Sequence, residues 1–573
     1  MLFPIYRRLP ELTELTTERQ ARRTKATFMN SSASNTIEEQ HPPQSSKAVA
    51  LRFALFASVV AIAAFLRMAW LNSLPPGFSP HSHVLVRTRL YNYLFELPWS
   101  SESWRTIRSL VIEDQHGPQS LLEAALTPLF GMGMLESRLL VASVGILTII
   151  ISILTGMAMR GWALGISLGF VLAISAPHIT FSRYGDTEHI NFYLQGLPTL
   201  LFASLFCKRP SLITSLGLGL FLGLSIYIYA VAQFMTPLVL FALVSAIILG
   251  RNHNTSWVRY SIYLCPVIIV MTLLIWPQVD YYWSRGRLIP IRSPYSDGLY
   301  AMTTMQSLPS KIQTAWEQLF AQVKDPWFGW QGGALMDYSL VLIMPGLLWL
   351  WTEIRRWSFA GIFVSLGLLT GILPAIMSPE VPFRRMLILI LSLDILKAGG
   401  IVVSWQAMKH QPWRSINQLV VVSFLLLCVY RASNTLLYHL APSDSGSNRA
   451  SKAIVDRIRS EGHQRKIGVF VPEVIEGGFD NTLAYFIWMN VTLPRDHTPR
   501  IALPANVTFI SEKSIGDFVS QDDWLLLVHE GYSRMFEVIK PQIQDKITRF
   551  SEMRHSDQRG YLFSSIGNQG SSN

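Results

Sequence analysis

Residues 138–160 read RLLVASVGILTIIISILTGMAMR. Between Arg138 and Arg160 lie 21 residues without a charge. At about 1.5 Å per residue, a helix over that stretch spans roughly 30 Å, the hydrocarbon thickness of a bilayer. In lipid the backbone must satisfy its own hydrogen bonds, so such a run reads as a membrane helix. Arg160 closes it, and basic residues favour the cytoplasmic side. The helix is therefore expected to cross inward.

Ten further apolar runs surround it, at about 49–71, 162–178, 191–207, 211–229, 232–249, 259–276, 337–353, 358–377, 385–403 and 417–436. The loops between them fix the orientation. Lys208/Arg209, Arg251/Arg259, Arg355/Arg356 and Lys409/Arg414 fall on the same side as Arg160. Loops 179–190, 278–336 and 378–384 fall on the other side, as does a tight turn near 229–232. This agrees with the positive-inside bias at nearly every turn. Segment 72–136 is too polar to cross. Its two amphipathic stretches, near 84–97 and 119–134, are expected to lie along the outer interface. Counting 119–134 as a span would invert every later loop and place the basic clusters outside.

The expected fold is thus a polytopic α-helical membrane protein of about eleven spans. Residues 1–48 form a basic tail rich in Ser, Asn, Gln and Pro, expected to be disordered and cytoplasmic. It is too long and polar for the start of a signal peptide, and the run that follows is long enough to span. Residues 49–436 form the membrane domain, with outer loops 72–136 and 278–336. Residues 437–573 change character. A helical period at 450–460, short apolar strands at 466–471 and 524–528, and a second helical stretch at 532–543 predict a small α/β domain. An odd number of spans places it outside the cell.

Composition supports this class. Half of the 573 residues are hydrophobic and 15% are charged, below the roughly 25% of soluble domains. The net charge of +11 follows from basic helix ends, so nucleic acid is not an expected partner. The three cysteines, Cys207, Cys265 and Cys428, have no metal-ligand spacing and read as small buried residues.

Three polar clusters fall on the expected outer face. The first is Pro75-Pro76-Gly77-Phe78-Ser79-Pro80-His81-Ser82-His83, with Glu113, Asp114 and His116 later in the same loop. The second is Phe181-Ser182-Arg183-Tyr184-Gly185-Asp186-Thr187-Glu188-His189, and the third is Pro382-Phe383-Arg384-Arg385. Singly, each is equally a solvated loop. Together they offer carboxylates and histidines for a general base and arginine forks for a phosphate or pyrophosphate. A base and a phosphate clamp at one interface suit transfer from a lipid-phosphate donor. The alternative chemistry is a divalent metal held by His81, His83, His116 and His189 with Asp114, Asp186 and Glu188, a ligand set suited to zinc or manganese. Asp394 and Lys397, three residues apart inside an apolar run, are expected to pair.

Over about residues 50–435 the sequence resembles the GT-C glycosyltransferases, the group that includes protein O-mannosyltransferases and the aminoarabinose transferase of lipid A. The resemblance rests on Pro75-Pro76-Gly77, Asp114-Gln115-His116-Gly117-Pro118, Arg138, Ser175-Ala176-Pro177-His178, Phe181-Ser182-Arg183-Tyr184, Tyr227-Ile228-Tyr229 and Arg384-Arg385-Met386, in that order. It implies an enzyme of a bacterial inner (plasma) membrane that takes a sugar from a polyprenyl-phosphate carrier on the outer face. The acceptor would be a glycan, lipid or protein. Arg183, Arg384 and Arg385 would face the carrier phosphate, and Asp186 or Glu188 would match the acidic residue of the second outer loop. Two departures matter. His81-Ser82 stands where relatives usually carry an Asp-Glu pair, and Gln233 stands where they often carry Arg. Three readings follow: His81 or His83 acts as base, Asp114 or Asp186 replaces it, or the scaffold binds a glycan without transferring it. A lipid or polysaccharide transporter is a further alternative, but neither an internal repeat nor a matched pair of broken spans supports it.

The orientation has a direct check. A membrane-impermeant maleimide added to intact cells should label Cys introduced by Ser296→Cys and spare Cys introduced by Asn254→Cys. The reverse pattern would invert the topology.

Overall fold

The computed structural model describes residues 46–71, 90–96, 100–113, 117–130, 134–183, 189–228, 230–250, 257–284, 308–320, 338–377, 383–408, 414–434, 466–470, 507–510, 514–519, 524–528, 538, 540–544, 549–555 and 558–564. The chain divides into two compact units, Met1–Leu55 and Phe56–Asn573. The first is described from residue 46 and supplies the opening turns of one helix. The second holds the rest of the described chain.

The described chain is mostly helical. In order come α1 Ser46–Met68, a short π-helical turn Asn92–Glu96, α2 Ser101–Glu113, α3 Gly117–Phe130, α4 Met134–Arg160, α5 Trp162–Ile174 and α6 Ala176–Phe181. Next are α7 Ile190–Lys208, α8 Leu212–Leu224, α9 Ala230–Leu249, α10 Trp257–Ser284, α11 Leu308–Phe320, α12 Ile343–Arg355, α13 Phe359–Thr370 and α14 Leu373–Ile376. The 3₁₀ turn Phe383–Met386 leads into α15 Leu387–Met408, and α16 Arg414–Asn434 follows. Every apolar run marked in the sequence carries helix. Among the described residues seven helical stretches are long and apolar enough to cross a membrane: Ser46–Met68, Leu135–Arg160, Ile190–Lys208, Val231–Leu249, Trp257–Asp280, Phe359–Ile376 and Phe383–Met408. Ser120–Phe130, Trp162–Ile174, Leu212–Tyr227 and Gln418–Asn434 are shorter apolar helices.

Local chemistry explains the breaks. Gly161, with φ of 97°, lets the chain reverse between α4 and α5 within one residue, a conformation that costs a side-chain-bearing residue strain. Pro210 follows the end of α7, and Ser211 then starts α8 with a reciprocal cap. The Thr214 amide donates to Ser211 Oγ at 3.3 Å, and the Ser211 amide donates to Thr214 Oγ1 at 3.0 Å. Ser358 caps α13 by accepting from the Gly361 amide at 3.1 Å. Each bond meets an amide that a helix start leaves unpaired.

The core gathers α4, α5, α7, α9, α13 and α15, with Phe192, Tyr193, Phe206 and Phe363 fully buried. The outermost faces are apolar and exposed: Ile213 on α8, Ile269 and Leu273 on α10, and Leu419 and Val420 on α16. An apolar face without an apolar neighbour is what contact with lipid requires. Cys265 also lies on an exposed face, whereas the sequence suggested burial. All three cysteines are free. Lipid hides a thiol from water as a protein core does, so composition alone does not separate the two positions.

In the first loop, the helix expected near 119–134 is present as α3, Gly117–Phe130, whose Ser120–Phe130 portion is apolar. Helix α2 was not anticipated from the sequence. Ser100 Oγ accepts from the Ser103 amide at 3.0 Å to start it, and its Ile107 packs with Leu90, Tyr91 and Ala124. The charged residues of SESWRTIRSLVIE dilute a face that becomes apolar only once coiled.

The C-terminal residues carry a five-stranded sheet of order β2-β1-β3-β5-β4. The strands are β1 Lys466–Phe470, β2 Val507–Ile510, β3 Trp524–Val528, β4 Arg549–His555 and β5 Gln558–Ser564. β1 lies parallel to β2 and β3, while β5 runs antiparallel to β3 and β4. The strands expected at 466–471 and 524–528 are present as β1 and β3. The other three were not foreseen. Their sequences lack the continuous apolar run of Trp524–Val528, every residue of which is buried. The short helix α17, Ile515–Val519, lies between β2 and β3. The helical stretch expected at 450–460 lies outside the described residues, and of 532–543 a 3₁₀ turn, Lys540–Gln542, is described.

Helices α4 and α5 approach where Gly156 faces Gly165. A Cβ added to Gly156 would come 2.7 Å from the Gly165 Cα. Small residues permit such backbone contact in membranes. Gly156→Val should destabilise the fold by about 1–3 kcal/mol, read as a lower Tm in nanodiscs. An unchanged Tm would mean that the two helices are not held at this distance.

Candidate functional site

One end of the helical core holds three fully buried arginines, and they come from different helices. Arg67 sits near the end of α1, Arg138 at the start of α4 and Arg183 just after α6; each has 0% exposure. Their partners include main-chain oxygens at helix ends. Arg67 Nη1 donates to Ala63 O and Ala173 O, both at 3.1 Å, and its Nη2 donates to Leu172 O at 3.1 Å. The last two acceptors belong to the final turn of α5, whose carbonyls have no partner within the helix. Arg183 Nη1 donates to Leu66 O at 3.0 Å, and its Nη2 donates to Ala69 O at 2.6 Å. Arg138 Nη1 donates to Leu71 O at 2.9 Å. The end of α1 is thus tied to α4 and to the segment after α6. A positive group at a helix C-terminus also meets the negative end of the helix dipole.

His178 completes this network. Arg67 Nη2 lies 2.8 Å from His178 Nδ1. A guanidinium only donates, so Nδ1 accepts and the ring proton sits on Nε2. Nε2 faces Thr148 Oγ1 at 2.9 Å, and the Thr148 hydroxyl donates to Gly145 O at 2.7 Å. The imidazole is therefore held in one tautomer. Tyr193 packs against it, with ring centroids 4.7 Å apart. Ser182 Oγ donates to His178 O at 2.6 Å and closes the turn after α6.

An aromatic stack joins two of the sequence clusters. Phe181 stacks on His189 with centroids 4.8 Å apart, and on Phe383 with centroids 5.5 Å apart. Phe383 opens the turn that carries Arg384 and Arg385. The structure therefore brings together Phe181–Arg183, His189 and Phe383–Arg385. Through the Arg183 and Arg138 contacts it also brings in the chain that leads into Pro75-Pro76-Gly77. Arg384 is 8% exposed and Arg385 is half-buried. His189 is buried and its ring lies on Phe181. His81, His83, Asp114, His116, Asp186 and Glu188 lie outside the described residues. Among the described residues no group of three His, Cys, Asp or Glu side chains is placed to hold a metal.

Asp394 and Lys397 pair as expected. Lys397 Nζ lies 3.6 Å from Asp394 Oδ1, and the Ser175 hydroxyl donates to Asp394 Oδ2 at 3.4 Å. Both charges are buried on α15. The pair also reaches the α5–α6 break through Ser175, so it holds the same region from the core side. Gln233 Nε2 donates to Ile226 O at 3.3 Å, and the Tyr227 hydroxyl donates to Leu274 O at 2.6 Å. Sequence reasoning assigned no role to Arg67, Thr148 or Tyr193. Arg67 did carry a signal, since it is a charged residue four positions from the end of an apolar run, and such residues are rarely neutral features.

Removing one arm of this arrangement should loosen it. Arg183→Met leaves the Leu66 and Ala69 carbonyls short of a donor, at about 1–3 kcal/mol for each unmet group. Tm should fall. Arg183→Lys should recover part of the loss, because an ammonium lacks the planar fork. Equal Tm for Arg183→Met and wild type would show that the arginine does not hold α1.

No protein-family model and no curated protein sequence matches the chain. It is similar to the crystal structure of ArnT from Cupriavidus metallidurans bound to undecaprenyl phosphate, at 13% identity and a TM-score of 0.45, over 91% of this chain and 99% of that one. It is also similar to the archaeal oligosaccharyltransferase AglB from Archaeoglobus fulgidus in complex with an inhibitory peptide and a dolichol-phosphate, at 11% identity and a TM-score of 0.48, over 90% of this chain and 74% of that one. Both are GT-C glycosyltransferases. The likeness is a distant one in the course of the chain, and the chemistry has to come from this chain's own residues.

Proposed function

We propose that this protein is a membrane glycosyltransferase that moves a hexosyl or pentosyl group from a polyprenyl-phosphate donor to an acceptor on the extracytoplasmic face. The observation that carries the reading is the convergence of Phe181–Arg183, His189 and Phe383–Arg385 beside the anchored end of α1. It gathers arginines and the roots of two acidic loops at one end of the bundle. In this reading the runs at 162–178, 211–229, 337–353 and 417–436 also cross, giving eleven spans, and residues 437–573 form an α/β domain on the outer side.

The reaction needs few parts. An acceptor hydroxyl or amine attacks the anomeric carbon, the bond from that carbon to the phosphate oxygen breaks, and the lipid phosphate leaves with the electron pair. The acceptor proton passes to a base: His81, His83, Asp114, Asp186 or Glu188. Phosphate is a good leaving group, so the main demand is to hold its charge, which Arg384 and Arg385 are suited to do through charge-assisted bonds. Arg183 already donates to α1. Its part in this reading is to fix the loop that carries Asp186 and Glu188. A divalent metal on His116 and His189 with Asp114, Asp186 or Glu188 would add a second positive centre for the same phosphate.

A second reading is a non-catalytic glycan or lipid binder. Its support is specific: His81-Ser82 stands where relatives usually carry Asp-Glu.

Purified protein in nanodiscs, supplied with radiolabelled polyprenyl-phosphate sugars and envelope lipid or glycan acceptors, separates the two. Arg384→Ala should weaken carrier retention about tenfold or more. Asp114→Asn or Asp186→Asn should lower transfer about a hundredfold with carrier retention kept, if that residue is the base. Retention without transfer from any donor would favour the binder. No retention, unaffected by Arg384→Ala, would sink both.

A further inference from the structure

The other end of the same helices holds a cavity that the proposed reaction does not use. Arg138 and Arg160 lie at opposite ends of α4, 22 residues or roughly 33 Å apart. His189 and Lys208 bracket α7 in the same way. The cavity at the Arg160 and Lys208 end measures about 840 Å³, within the size range of small-ligand sites. The loop charges read this end as cytoplasmic.

Its lining is strongly basic. Arg160, Lys208, Arg355 and Arg356 line it together with one carboxylate, Glu353. That carboxylate is already shared. Its side chain is 2% exposed, with Oε1 lying 3.0 Å from Arg160 Nε and 3.9 Å from Arg356 Nη1. Among the described residues Lys208 has no carboxylate within ion-pair distance. The wall also holds Ser204, whose buried hydroxyl meets no hydrogen-bond partner among the described residues. Gly161 before α5 and Ser358 before α13 also border the space, their own amides donating to Met157 O and Glu353 O. Positive-inside charge alone asks only that basic residues sit near a membrane surface. It explains neither a walled cavity nor a hydroxyl left without a partner inside it.

The geometry points to a second binding site here, which takes a phosphate-bearing anion between Lys208, Arg356 and the Ser204 hydroxyl while Glu353 holds Arg160 in place. Two sources share this chemistry: the phosphodiester headgroup of an anionic phospholipid and a free phosphate or pyrophosphate. Basic pockets between membrane helices on the cytoplasmic side suit lipid headgroups, and the test separates the two sources.

Full-length protein is delipidated in detergent and offered dioleoylphosphatidylglycerol or dioleoylphosphatidylcholine, with retained lipid read by native mass spectrometry. In parallel, Tm is followed with inorganic phosphate and pyrophosphate. Wild type should retain the glycerol lipid over the choline lipid. Lys208→Gln with Arg356→Gln should cut that preference about tenfold or more, as two charge-assisted contacts are lost. Arg356→Gln alone, at a side chain 56% exposed, keeps the fold and should show part of the loss. Ser204→Ala should reduce retention without removing any charge. A Tm rise with phosphate or pyrophosphate that the variants lack, without lipid preference, assigns the cavity to a soluble anion. The inference is overturned if wild type shows neither effect, or if the variants keep the wild-type preference and Tm response.

Discussion

Taking a guanidinium out of water costs several kcal/mol unless its donors are met, and a helix that ends inside protein leaves carbonyls with the matching need. The end of α1 meets both conditions at once. Arg183 and Arg138 donate to the carbonyls of Leu66, Ala69 and Leu71, while Arg67 reaches across to the last turn of α5. Each arginine relieves a helix end, and each helix end makes a buried arginine tolerable. Because the donors are rigid forks, they fix distance and angle as well as contact. The end of α1, the break between α5 and α6, and the start of α4 are held in one place by this exchange.

Other parts of the site follow from that anchoring. With Arg67 donating to Nδ1, His178 has one available tautomer, and its remaining proton faces Thr148 on α4. The turn after α6 then sets Phe181, which forms a stack with His189 and Phe383. Arg384 and Arg385 enter through that stack. The Asp394–Lys397 pair on α15, joined by Ser175, supports the same break from within the bundle.

The two ends of the core use positive charge differently. At the anchored end, buried arginines spend their donors on main-chain oxygens. At the other end, Arg160, Lys208 and Arg356 surround open volume, and Arg160 and Arg356 share a single carboxylate. Donors committed to main-chain oxygens build structure, while donors around a cavity can still take a ligand. The same residue type thus carries different meanings at the two ends, separated by roughly the thickness of a membrane.

The sequence by itself determined the helical membrane class, the positions of the apolar runs, the buried Asp394–Lys397 pair and two of the five strands. These are set by local period, run length and charge, which adjacent residues report directly. Helix α2 was not legible, because its apolar face exists only against partners that the chain supplies elsewhere, and strands β2, β4 and β5 lack the continuous apolar run that marks β3. The same limit held for the site. The clusters around Arg183, His189 and Arg384 could be read as residues, yet only tertiary structure decided that Phe181, His189 and Phe383 stack and that Arg183 donates to α1. Contacts between positions more than a hundred residues apart, such as Arg183 with Leu66 or Arg67 with His178, depend on how helices pack. Packing is a property of surfaces, which no single stretch of sequence contains.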